Sequence, residues 1–177
     1  MKFELSELNQ EQISNLEGTV ENNSKQIDEI VQGIIEPYVK GLDFYVGFIA
    51  ECLMNGEKPP TNAELEDFCI NLSTRIYFAG GMCEQLGIRD DIAKAVYKET
   101  YHTNRASQEK GTVADKDSIA ELNSQKEYII STAYTRAYKT MKAKLDAAQE
   151  LLSSCKKVLS HRMVEIELTH MMSNVDD

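Results

Sequence analysis

Two Glu-x-x-His pairs, Glu99-Thr100-Tyr101-His102 and Glu167-Leu168-Thr169-His170, have the spacing of metal ligands in this 177-residue chain. Positions i and i+3 share a helix face, and carboxylate di-metal bundles combine two such pairs with a lone glutamate from each of two other helices. The pairs flank a polar, glycine-containing stretch from Ala106 to Leu122. A chain folding back there puts His102 at the fold and His170 a full rod away, so two exposed histidines near helix ends are the simpler reading. No metal or other cofactor is expected. Nucleophilic chemistry has no better footing: Cys155 and His161 share one helical segment with no oxyanion-holding loop beside them. The motifs G-x-x-x-x-G-K-[ST], G-x-S-x-G, H-E-x-x-H and G-x-G-x-x-G do not occur, so the usual phosphate loops and nucleophile elbows are missing. The chain reads as a non-enzyme.

Cations interleaved with tyrosines suggest a different chemistry. Lys94, Lys98, Arg105 and Lys110 approach the polar stretch, and Lys126, Arg136, Lys139, Lys142, Lys156 and Lys157 follow it, with Tyr97, Tyr101, Tyr128, Tyr134 and Tyr138 among them. Single-stranded nucleic acid is held by cations on phosphates beside rings that stack on bases. Helical spacing aims Arg136, Lys139, Lys142 and Lys157 away from the neighbouring apolar stripe and leaves Lys144 and Arg162 at its border. The competing explanations are a solvated helix face with i to i+4 ion pairs, and tyrosines packed in a core with their hydroxyls at the rim. The net charge of -10 opposes indiscriminate binding to polyanions. Its distribution is uneven: residues 1–100 hold 8 basic and 18 acidic side chains, residues 101–177 hold 11 of each, and Lys126 to Arg162 hold 8 basic and 3 acidic.

The elements that must position these residues are helices. Three prolines, nine glycines and no tryptophan, with Glu, Lys, Ala, Gln and Leu recurring throughout, favour an all-α chain. One domain is expected over residues 1–177, acidic helices in 1–87 and a basic helix, hinge and long assembly helix in 88–177. No apolar run approaches the ~20 residues of a membrane span, and "MKFELSELNQ" lacks the order of a signal peptide, so a cytoplasmic protein with no membrane partner is expected. Cys52, Cys69, Cys83 and Cys155 are widely spaced among apolar neighbours and read as reduced, buried thiols.

A first helical pattern from Ser6 to Ile35 weakens at Gly18 and at Glu21-Asn22-Asn23-Ser24, then restarts at Pro37 and ends at Asn55-Gly56. Thr61 to Glu64 is a capping box that opens the next helix near Asn62. At Gly80-Gly81 that helix is expected either to kink or to let another backbone approach closely, and Gly87 offers a stop, with a shorter helix following whose narrow apolar stripe is Ile88, Ile92, Ala95 and Val96. Thr112 to Asp115 repeats the capping pattern, and from there apolar residues keep a 3-or-4 spacing as far as Ile166. An unbroken helix from Asp115 to His170 spans ~84 Å. A stripe that long needs cover of comparable length, which the short helix before the hinge cannot give. Either the early helices or other subunits supply it. Self-association is the expectation, with Leu145, Leu152, Leu159, Met163 and Ile166 as the seam. The fold expected is an elongated helical hairpin or bundle with one long C-terminal helix, oligomerising.

Two segments, "IAKAVYKETYHTNRASQEKGTVADKDSIAEL" and "KKVLSHRMVEI", resemble phage recombination mediators of the UvsY type, over roughly Ile88 to Glu167. The first is similar to that family's lysine-bearing helix, polar loop and helix restart, the second to its basic oligomerisation helix. The resemblance implies a homo-oligomer in the host cytoplasm that binds single-stranded DNA and helps a recombinase displace the single-strand-binding protein. Lys98 matches the family's DNA-binding lysine, with Lys94 one turn earlier. Thr100 stands where the family carries a second basic residue, and Arg105 and Lys110 can substitute for it from the loop. Two alternatives remain open on the residues alone. One is an acidic helical protein that mimics a polyanion and inhibits a host or nucleic-acid enzyme, and the other is a structural coiled-coil scaffold.

Overall fold

A computed structural model describes residues 10–56 and 58–173. These form four helices and no strand: α1 (Gln10–Met54), α2 (Asn62–Ala106), α3 (Val113–Asn123) and α4 (Gln125–Ser173). The start of the first helical pattern, up to Asn9, lies outside the described residues. No described helix is long and apolar enough to cross a membrane.

Both capping boxes form. The Thr61 amide donates to Glu64 Oε2 at 2.7 Å and the Glu64 amide donates to Thr61 Oγ1 at 3.3 Å, which satisfies two otherwise unpaired amides where α2 opens. Thr112 and Asp115 do the same for α3, at 2.9 and 3.3 Å. Between α2 and α3 the chain turns through Ser107 to Thr112, and Gly111 adopts φ +111, a conformation that disfavours any side chain.

α2 and α4 run antiparallel and share the largest interface. Their register is set along its length by the Arg162 guanidinium donating to the Pro60 carbonyl, by Gly87 against the Tyr138 ring and by Thr135 Oγ1 donating to Asp90. A Cβ on Gly87 would lie 3.2 Å from that ring, so the glycine lets the two helices approach closely. α1 lies along this hairpin, antiparallel to α2. Arg75 Nη1 donates to the Gly41 carbonyl at 2.9 Å, and Lys144 Nζ of α4 donates to Asp43 at 2.7 Å. Ile35, Ile49, Leu65, Leu72, Leu86 and Met141 are fully buried where the three helices meet, each contributing about 1.5–3 kcal/mol by leaving water.

Four expectations are corrected. α1 does not break at Gly18 or restart at Pro37; Pro37 sits inside it on an exposed side. The carbonyl of exposed Gly33, four residues earlier, can turn to water in place of the missing amide. α2 passes through Gly80, Gly81 and Gly87 without a stop and reaches 45 residues, roughly 68 Å. The expected long C-terminal helix is present as the 49-residue α4, but it starts at Gln125 because the segment is interrupted at Ser124, whose buried hydroxyl donates to the Ala120 carbonyl at 2.6 Å, a back-bond of the kind that bends helices. Over the middle of the apolar stripe, from Ala133 to Leu159, the cover is internal. Ala137, Met141, Leu145, Ala148 and Cys155 form one core with residues of α1 and α2, Leu152 and Leu159 pack against it, and Ala133 is buried as well. α2 is long enough to do this because its glycines face outward or toward a ring and break no helical hydrogen bond.

Candidate nucleic-acid interface

The cationic residues lie on the last turns of α2, on the hinge and along α4. α4 presents Arg136, Lys139 and Lys142 within two turns, all exposed, because its opposite face carries the buried Ala133, Ala137 and Met141. Asp146 and Glu150 interrupt the row, and exposed Lys156 and Lys157 resume it. Lys98 on α2 and Lys110 in the hinge are exposed as well. None of these seven makes an ion pair among the described residues.

Lys94 and Arg105 are held differently. Asp90 is buried between α2 and α4, where it accepts from Lys94 Nζ at 2.7 Å and from Thr135 Oγ1 at 2.5 Å. Its hydrogen bond keeps the Lys94 ammonium protonated to higher pH than usual. The same two bonds set Lys94 against the turn of α4 that carries Arg136 and Lys139, so cations from two helices share one side of the hairpin. Arg105 is paired with Asp117 of α3, which also accepts from the Tyr101 hydroxyl at 3.2 Å. Burial, then the neighbouring Asp117, pushes the Tyr101 phenol up. This three-residue latch fastens α3 to α2.

The tyrosines divide between core and surface. Tyr134 and Tyr138 pack against the core, as core tyrosines were expected to. Tyr128 is 55% exposed, with the half-buried Tyr97 ring behind it at 5.4 Å between centroids. Together with Ser118, Glu121, Leu122 and Gln125 these two rings line an open cleft of about 640 Å³ at the junction of α2, α3 and α4, within the size range of small-ligand sites. Its polar groups suit hydrogen-bonding edges better than phosphate, since Glu121 repels an anion.

The expected assembly seam is split. Leu145 lies in the core, Leu152 and Leu159 pack against it, and only Met163 and Ile166, each 45% exposed, face solvent where α4 runs past the start of α2. His102 is exposed at the hinge end, the side chain of His170 is outside the described ones, and no group of three metal-ligating side chains gathers among the described residues. All four cysteines are free, and burial pushes the thiols of Cys69, Cys83 and Cys155 up, away from the reactive thiolate.

Sequence reasoning missed the roles of Asp90, Asp117 and Ser124. Asp90 sits four residues before Lys94, a visible ion-pair spacing. Asp117 carried no such signal, because its partners Tyr101 and Arg105 reach it only once the hinge has closed. Compared with protein-family models, curated proteins and solved structures, the chain matches none.

Proposed function

We propose that this chain is a non-enzymatic binder of single-stranded nucleic acid, acting as an accessory protein in recombination. The observation that carries the reading is the set of exposed cations without ion-pair partners among the described residues, Lys98, Lys110, Arg136, Lys139 and Lys142, with exposed Tyr128 on the same helix as the last three. A flexible strand can follow the cations with its phosphates while a base stacks on Tyr128, which Tyr97 braces from behind. Ser118, Gln125 and Glu121 then offer donors and acceptors to a base edge, and Glu121 favours an amino group. Each subunit contributes few phosphate contacts, so useful affinity requires several copies on one strand. The narrower role, delivering a recombinase onto DNA held by a single-strand-binding protein, is supported by the similarity of Ile88 to Leu122 and Lys156 to Ile166 to mediators of the UvsY type.

Fluorescence anisotropy of a labelled oligonucleotide tests the reading. The triple variant Lys98→Glu, Lys139→Glu, Lys142→Glu is expected to lose at least tenfold in affinity and Tyr128→Ala several-fold. Unchanged binding by the triple variant would contradict it.

A second reading has its own observation. Glu17, Glu21, Asp28, Glu29 and Glu36 are exposed along α1, with Lys25 as the cation among them. Such a face suits a basic protein surface, and the chain would then act as a polyanion mimic. Neutralising these five acids separates the readings, since it abolishes the mimic's activity and leaves oligonucleotide binding intact or improved.

A further inference from the structure

We infer that two copies of this chain pair antiparallel through the outer face of α2, crossing at Gly81. α2 is apolar on two opposite sides. Leu65, Leu72, Ala79, Leu86 and Ala93 are buried on the inner one, while Ile70, Tyr77, Ile88 and Ile92 are 65, 78, 61 and 57% exposed, with Phe78 beside them at 61%. Positions 70, 77, 81, 88 and 92 fall on one line of a helix with 3.6 residues per turn. The inner side carries α2's share of the core, and among the described residues no element covers the outer one.

Gly81 sits in the middle of that line, with Gly80 one position to its side. A Cβ on either would meet nothing within 4 Å, and neither has positive φ. Nothing within the chain calls for glycine there, although each weakens the helix by roughly 0.5–1 kcal/mol relative to alanine. A second helix approaching from outside does call for it, because glycine lets two backbones come close.

The occupant is a second copy because the face is self-complementary about Gly81, which a two-fold interface requires. With the crossing there, Ile70 of one copy lies opposite Ile92 of the other, Thr74 opposite Ile88 and Tyr77 opposite Gln85. Glu84 meets Phe78 and, at the flanks, Glu66 meets Val96 and Glu99 meets Ala63, so no carboxylate faces another, and the general repulsion between two copies of charge -10 is left to screening by salt. The five large side chains offer about 500 Å² per copy, hence about 1,000 Å² in all, which reaches the lower threshold for a biological interface. The pairing uses a face other than that of the exposed α4 cations and stands whether or not the chain binds nucleic acid.

Sedimentation equilibrium and crosslinking test it independently of any DNA measurement. The full chain is expected to run at twice its 20.0 kDa mass at tens of micromolar, or in even multiples of it. Gly81→Leu raises the helix propensity of α2, so it keeps the fold, read by circular dichroism and urea midpoint, while weakening the pairing at least tenfold. For the register, Gly81→Cys in a Cys52→Ser background is expected to crosslink to itself with a short bis-maleimide, and Ser154→Cys, on the outer side of α4, is not. A monomeric wild type, an assembly that Gly81→Leu leaves intact, or equal crosslinking at both positions overturns the inference.

Discussion

A carboxylate buried between two helices is strongly unfavourable unless donors meet its oxygens, and Asp90 is met by Lys94 from its own helix and by Thr135 from α4. Asp90→Ala leaves the Thr135 hydroxyl without its acceptor and unties Lys94. It is expected to lower stability by about 1–3 kcal/mol in urea unfolding, with Asp90→Asn losing less because its carbonyl still accepts from Thr135. The capping carboxylates make part of the stability depend on pH. Hydrogen bonds from Thr112 hold Asp115 below the usual carboxylate range, and those from Thr61 do the same for Glu64. A depressed folded value means that the stabilisation is complete above the ordinary value near ~4 and is lost as pH falls through the folded value. Asp115→Asn is therefore expected to lower the urea midpoint at pH 7 and to converge with the wild type at pH 2. An offset of equal size at both pH values would contradict the capping role.

At the scale of elements, α3 is an 11-residue helix whose one fully buried side chain is Ala120. So small an apolar contact cannot fix a helix by itself, which leaves its position to the latch of Asp117 with Tyr101 and Arg105. Asp117→Ala is expected to speed amide exchange by tenfold or more over residues 113–123, with the urea midpoint of the whole bundle almost unchanged. Uniform exchange across the chain would show that α3 needs no latch. The helical class, the hinge and both capping boxes were legible in the sequence because each rests on local chemistry: Thr-x-x-Glu, Thr-x-x-Asp and a glycine in a polar loop. Gly87 and Pro37 were misread as helix boundaries, and the kink offered as one reading of Gly80-Gly81 does not end α2, because propensity is a weak prior beside tertiary packing. Neither a Cβ's clearance at Gly81 nor Tyr138 lying over Gly87 can be seen along one chain. The same limit hid which side of α2 is buried. Ile88, Ile92 and Val96 form a clear stripe in the sequence, yet Leu86, Asp90 and Ala93 face the core.

At the scale of the molecule, a chain with an excess of acids carries an exposed cation row on one helix and exposed acids on another. The cations of α4 were aimed correctly by helical spacing, since Arg136, Lys139, Lys142 and Lys157 all face solvent. The pairing of Arg105 could not be foreseen, and it reduces the hinge's free contribution to Lys98 and Lys110. The most direct measurement is the affinity of the wild-type protein for a labelled oligonucleotide, followed by anisotropy as salt is raised from about 20 to 200 mM. For ~4 phosphates neutralised per subunit, log affinity is predicted to fall against log salt with a slope of about -3. No binding at the lowest salt, or binding indifferent to salt, would contradict a phosphate-tracking role for these cations.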